Sequence, residues 1–256
     1  MKKTIDLNAD LGEGFGVYEY GADQELLSLV TSANIACGWH GGDPGIMRRA
    51  AKLAVENHVS IGAHPGFPDR IGFGRRYMDL SSAEVRDGLL YQLGALDGIC
   101  RSEGTAIRYV KPHGAMYNAA AKDDVLAHAV VEAVYSYNPG LILLCPGGSA
   151  MERAAKAAGI SIASEFFADR NYRNDGSLVP RSQPKAIISD SEQICHRILQ
   201  AINEGTVETE DGSTIIVQAD SICLHGDNPS AVTLACHIRE TLLAAGVSLR
   251  SFAGRL

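Results

Sequence analysis

The sequence has no apolar run approaching the roughly 20 residues that a membrane-spanning helix needs; its best, 141–145, is far too short. Its opening is equally poor in apolar residues, because Asp6, Asn8 and Asp10 interrupt any stretch that could serve as the core of a secretion signal. The six cysteines (Cys37, Cys100, Cys145, Cys195, Cys223 and Cys236) form no C-x-x-C pair, which argues against a zinc ribbon or a thioredoxin-type motif. In a chain of this length without a secretion signal they are expected to be reduced and mostly buried, and the protein to be cytoplasmic. Basic residues are the minority: 23 Lys and Arg stand against 30 Asp and Glu, a net charge of −7. That balance excludes general nucleic-acid or anionic-membrane binding, both of which need a basic surface. Absent too are a G-x-x-x-x-G-K-[ST] phosphate loop, a G-x-S-x-G nucleophile elbow and an H-E-x-x-H metal motif.

Glycine is abundant instead: 27 of 256 residues, against a usual share of roughly 7%. Charge and hydrophobicity are ordinary for a globular protein, and the length suits one α/β barrel, so residues 1–256 are read as a single domain. Strand-like runs at 4–9, 32–37, 60–63, 107–111, 141–145, 161–164 and 221–225, with a short one at 247–252, alternate with helical patterns. Helix ends are legible. Asp43-Pro44 and Asn228-Pro229 place a capping side chain before a proline, and Ser81 to Glu84 spells a capping box. Glycines 104, 159 and 246 read as left-handed helix ends. Repeated β-α-β units imply right-handed crossovers and a mainly parallel sheet. Two stretches break the rhythm: Asp211-Gly212 between β-prone arms predicts a hairpin, and the polar segment 166–184 predicts a long loop, either functional or disordered.

Four of the eight histidines stand where a strand hands over to a Gly/Pro turn: His40, His64, His113 and His225. Side-chain alternation places Asp6, Asn8 and Asp10 on one face of the first strand, Tyr109, Lys111 and His113 together on the fourth, and Glu165 at the end of the sixth. The C-terminal ends of parallel strands are where α/β folds build their sites. Acids, Lys and His gathered there predict a hydrolase-like site for a small polar substrate. Gly12-Glu13-Gly14-Phe15-Gly16 reads as a turn, with a phosphate loop as the alternative, and the Asp/His sets leave a divalent metal open without assigning its ligands.

The runs Asp6-Leu7-Asn8-Ala9-Asp10-Leu11-Gly12-Glu13, Asn34 to Pro44, Ile61 to Gly66, Val110 to Asn118, Glu165 to Arg170 and Leu224-His225-Gly226-Asp227 closely resemble the LamB/YcsF family, in the expected order from Ile5 to the C-terminus. Trp39 departs from the phenylalanine common at that position. The resemblance implies an irregular TIM-like (β/α) barrel of about seven parallel strands, similar to glycoside hydrolase/deacetylase barrels. It also implies an ATP-hydrolysing 5-oxoprolinase activity that opens 5-oxo-L-proline to L-glutamate. ATP, with magnesium, would be the co-substrate, and 5-oxoprolinase subunits B and C the partners; a homo-oligomer is open. On that expectation Asp10, His40 or His64 activates water, and Lys111 and His113 stabilise developing negative charge. Asn8, Glu13, Glu165, Arg170, His225 and Asp227 are then the substrate-binding set. Two rivals are a metal-dependent deacetylase-like hydrolase of carbohydrates or amides, and a non-catalytic carrier that only organises its partners.

Overall fold

Residues 3–18, 20–224 and 231–254 are described by the computed structural model of the chain. Alternation in β1 (Thr4–Leu11) sends Ile5, Leu7 and Ala9 outward into apolar packing and Asn8 and Asp10 inward. The other strands of the ring are β2 (Ser32–Ala36), β3 (Ser60–His64), β4 (Tyr109–Val110), β5 (Ile142–Pro146) and β6 (Ile162–Phe167). After an antiparallel hairpin, β7 (Thr206–Glu208) with β8 (Thr214–Ile216), comes β9 (Ser221–Leu224). All seven ring strands run parallel, and β1 pairs with both β2 and β9. Asp10 opposite Asn34 on one side and Asp6 opposite Ser221 on the other close the barrel. A short β10 (Ser248–Leu249) adds to the start of β1.

The crossovers are helical: α1 (Asp23–Leu27), α2 (Pro44–Glu56), α3 (Ser82–Ser102), α4 (Gly114–Ala120), α5 (Asp124–Tyr137), α6 (Ala150–Ala158), α7 (Ser191–Glu204) and α8 (Ala231–Ala244). Their ends obey the sequence signals. Asp43 accepts from the amides of Gly45 and Ile46, Ser81 and Glu84 complete a reciprocal capping box, and Gly159 closes α6 with φ of 75°. The α8 signal at Asn228-Pro229 lies outside the described residues. Leu89, Leu93 and Leu96 of α3 share one apolar core with the outward residues of the strands. None of the described helices is long and apolar enough to cross a membrane.

The barrel interior is filled in two storeys. In the lower, Tyr109 packs with Leu144 and Ala163. Gly62 is the reason it fits: a Cβ at Gly62 would lie 2.1 Å from the Tyr109 ring, so only a residue without a side chain leaves room. In the upper storey, nearest the strand ends, the inward residues are polar.

Candidate active site

Lys111, one residue past β4, is the centre of that upper storey. Its Nζ lies 2.9 Å from Asp10 Oδ1, 2.8 Å from Glu165 Oε1 and 3.2 Å from Cys223 Sγ. Burial alone would push this ammonium down, but Asp10 and Glu165 outweigh it and hold it well above the ordinary lysine range. Burial pushes the Cys223 thiol well up, so its sulfur meets the ammonium as a neutral acceptor. Below them Asn8, fully buried, donates to Glu165 and Ser221 and accepts from Asn34 and Lys111. Tyr117, farther along the chain on α4, donates its hydroxyl to Glu165 Oε2 at 2.6 Å.

Beside this ion pair stands a histidine cluster. His64 Nε2 is 3.5 Å from Asp10 Oδ2 and 3.0 Å from His113 Nδ1. His40 stacks on His113 with ring centroids 3.6 Å apart, and its Nε2 lies 3.2 Å from Glu13 Oε1. Desolvation holds His40 and His113 well below the usual histidine value, and the neighbouring imidazoles add to it, so both are neutral near pH 7. Gln92 grips the turn after His64 through both the amide and the carbonyl of Gly66. The loop 69–76 is tied by Asp69, which accepts from Gly72 and Arg76; the Arg76 guanidinium holds its carboxyl down at about 2. That loop sets Phe73 at φ of 55°, a left-handed conformation costly for a bulky residue, and so aims its carbonyl at His113 Nε2.

A cavity of about 960 Å³ opens over the cluster, and Asp10, His64, Lys111, His113, Glu165 and Arg170 all line it. Of the other expected site residues, Asn8, Glu13 and His40 stand one layer behind the wall. Arg170 faces the cavity, but its guanidinium donates to the carbonyls of Val179 and Ala186, bracing the loop that follows β6. His225 and Asp227 lie outside the described residues. Sequence reasoning missed Tyr117 and Cys223. Tyr117 sits one helical turn beyond His113 in the same motif, a spacing that could have found it; nothing in the sequence singles out Cys223.

The LamB/YcsF family model matches residues 5–256. The chain is 48% identical over 253 residues to the A subunit of 5-oxoprolinase from Pyrococcus abyssi, covering 98% of this chain and 99% of the relative. It is also 48% identical over 245 residues to the A subunit of 5-oxoprolinase from Bacillus subtilis, covering 96% and 95%. The crystal structure of a lactam utilization protein from Thermus thermophilus superposes with a TM-score of 0.93 at 46% identity, over 97% of this chain and all of that one. A family 4 carbohydrate esterase from Streptomyces lividans shares the fold alone, with a TM-score of 0.53 at 12% identity over 99% and 96% of the two chains.

Proposed function

The chain belongs to the LamB/YcsF family, and from that premise we infer that it is the A subunit of an ATP-dependent 5-oxoprolinase, acting as a single barrel domain. The substrate is 5-oxo-L-proline and the product L-glutamate. A five-membered lactam is a poorly electrophilic amide and its closure favours the ring, which is why opening is coupled to ATP. Phosphorylation of the amide oxygen makes the ring carbon electrophilic. Water then adds to that carbon and the ring C–N bond breaks, with the nitrogen leaving as the protonated amine. A second water hydrolyses the resulting acyl phosphate to the carboxylate and inorganic phosphate.

One observation carries the reaction class: a permanently charged ammonium, Lys111, seated between Asp10 and Glu165 at the floor of a cavity. Charge that develops on the carbonyl or phosphoryl oxygen meets Lys111 in a site of low dielectric, where it is stabilised most. Asp10, held by Lys111 and Asn34 and within 3.5 Å of His64, is the group placed to take a proton from water. His113 completes the wall from the other side. At about 960 Å³ the cavity is at the upper end of the roughly 300–1,000 Å³ of ligand pockets, room for more than the lactam ring. ATP, with magnesium, is the second occupant of the complex. No P-loop sequence occurs in this chain, which fits a nucleotide shared with or held by subunits B and C.

The test is reconstitution. The chain combined with subunits B and C should form glutamate from 5-oxoproline only when ATP is present. Hydrolysis of an acetylated sugar without ATP would favour the deacetylase-like reading instead.

A further inference from the structure

Two imidazoles at the barrel mouth have their tautomers fixed from behind. His64 Nδ1 faces the Lys111 carbonyl at 2.7 Å, and His113 Nε2 faces the Phe73 carbonyl at 2.8 Å. A carbonyl oxygen only accepts, so each of these outer nitrogens carries hydrogen. In neutral rings the inner nitrogens, His64 Nε2 and His113 Nδ1, are then both lone pairs, yet they face one another at 3.0 Å. Two acceptors at that distance repel unless a cation lies between them, either an added proton or a metal ion.

The surroundings decide between the two. Glu13 Oε1 is 3.4 Å from His113 Nδ1 and 3.2 Å from His40 Nε2, and one ligand atom from each of Glu13, His40, His64 and His113 falls within 4.8 Å of all the others. A proton meets only the His64–His113 pair, whereas a single ion meets all four converging ligand atoms, the Glu13 carboxylate that faces both His40 and His113 included. We propose that Glu13, His64 and His113 bind a divalent transition-metal ion of the zinc class, with His40 as the fourth ligand.

Tetrahedral zinc, with bonds of about 2.0–2.1 Å, sets its ligand atoms ~3.3 Å apart. The separations of 3.0, 3.2 and 3.4 Å bracket that value. Imidazole-rich donor sets suit zinc, iron, nickel or copper better than magnesium or calcium. The outer-nitrogen bonds to carbonyls are the arrangement that orients metal-ligating histidines. The ring of His40 lies parallel to that of His113, within 2°, so it must turn to aim at the same point. Its Nδ1 has no hydrogen-bond partner among the described residues, so turning costs no bond there. His64 and His113 line the cavity, so the ion would add positive charge beside whatever occupies it.

The proposal does not rest on the lactam reading, and its test needs neither partner subunits nor ATP. The purified full chain is stripped with chelator, dialysed, and titrated with Zn²⁺ by calorimetry and with Co²⁺ by visible absorption. One ion per chain is expected, with the intense visible bands of low-symmetry cobalt and a metal-dependent rise in the melting midpoint. His113→Gln and His64→Gln keep side-chain bulk and should weaken binding beyond the roughly 10–100-fold that loss of an outer-shell partner costs. Circular dichroism checks that both are folded, and exposed His128→Ala should bind like wild type. Absence of stoichiometric binding overturns the proposal and leaves a shared proton between His64 and His113. Binding that survives both glutamine variants overturns it too. A chain that binds the ion but yields no glutamate in the complex keeps this site and sinks the substrate reading.

Discussion

Lys111 Nζ lies 2.8 Å from Glu165 Oε1, and neither side chain is more than 3% exposed. An ion pair so deep in a barrel is a weak contributor to stability, because each partner has lost its water. It is also hard to break, since removal of one partner strands the other. Lys111 has the further task of separating Glu165 from Asp10, which it contacts at 2.9 Å.

Replacing Lys111 with Met should therefore destabilise the chain by about 3–5 kcal/mol, the usual cost of an uncompensated buried charge. Adding Glu165→Gln should recover part of that loss. Urea unfolding of the two single variants and the double variant reads the coupling directly. Strictly additive effects would mean that the pair does not interact as the geometry requires.

Gly62→Ala inserts a methyl group where the Tyr109 ring already stands. Overpacking of this kind costs about 1–3 kcal/mol or more. Thermal melting should show the loss, and Tyr109→Leu in the same chain should relieve it in part. An unchanged midpoint for Gly62→Ala would contradict the close packing of the lower storey.

Asp6 gives the barrel a pH dependence opposite in sign to that of a salt-bridged acid. Desolvation raises its carboxyl from 3.8 to about 6, although Ser221, Ser32 and Thr31 donate to it. The folded state thus binds the proton more tightly than the unfolded one. Its contribution to stability is full below pH 3.8 and is lost as pH rises to about 6, a change on the order of 3 kcal/mol. Asp6→Asn removes the proton site. Its stability relative to wild type should improve between about pH 4 and pH 7, measured by urea unfolding at each. A constant difference would show that Asp6 titrates normally.

Burial pushes the thiols of Cys37, Cys100 and Cys145 up to about 12, and only Cys236 of the six cysteines is even partly exposed. Iodoacetamide at about pH 8 should label Cys236 in the native chain and all six after unfolding. Mass spectrometry of the labelled peptides settles it, and rapid native labelling of Cys223 would mean that the ground beside Lys111 is open to reagents.

Local patterns in the sequence reveal the ring strands and the hairpin at Asp211-Gly212, because a period of two, capping side chains and turn residues are written within a few positions. They also reveal that Asp10, Lys111, His113 and Glu165 face inward near strand ends. Which of them touch is set by barrel closure, a long-range property: Glu165 meets Lys111 and Tyr117 only because β4, β5 and β6 are successive neighbours. The same holds for Glu13, His40, His64 and His113, which come from the end of β3 and from the turns after three other strands and share no fixed spacing. The glycines at these turns are legible in kind, yet their close approaches are to the chain itself. A Cβ on Gly41 would meet the Glu13 backbone at 2.8 Å. Arg170 shows the limit of reading by residue type. A buried guanidinium on a long loop suggests an anion site, while its hydrogen bonds brace loop carbonyls.

The most direct test of the central claim is ATP-dependent glutamate formation from 5-oxoproline by the chain reconstituted with subunits B and C, wild type against Lys111→Ala and His64→Ala. Turnover is expected for the wild type and its loss in both variants, with circular dichroism showing that each remains folded and co-purification showing that each still binds its partners. No glutamate from the wild-type complex, or near-normal turnover by both folded variants, would contradict it.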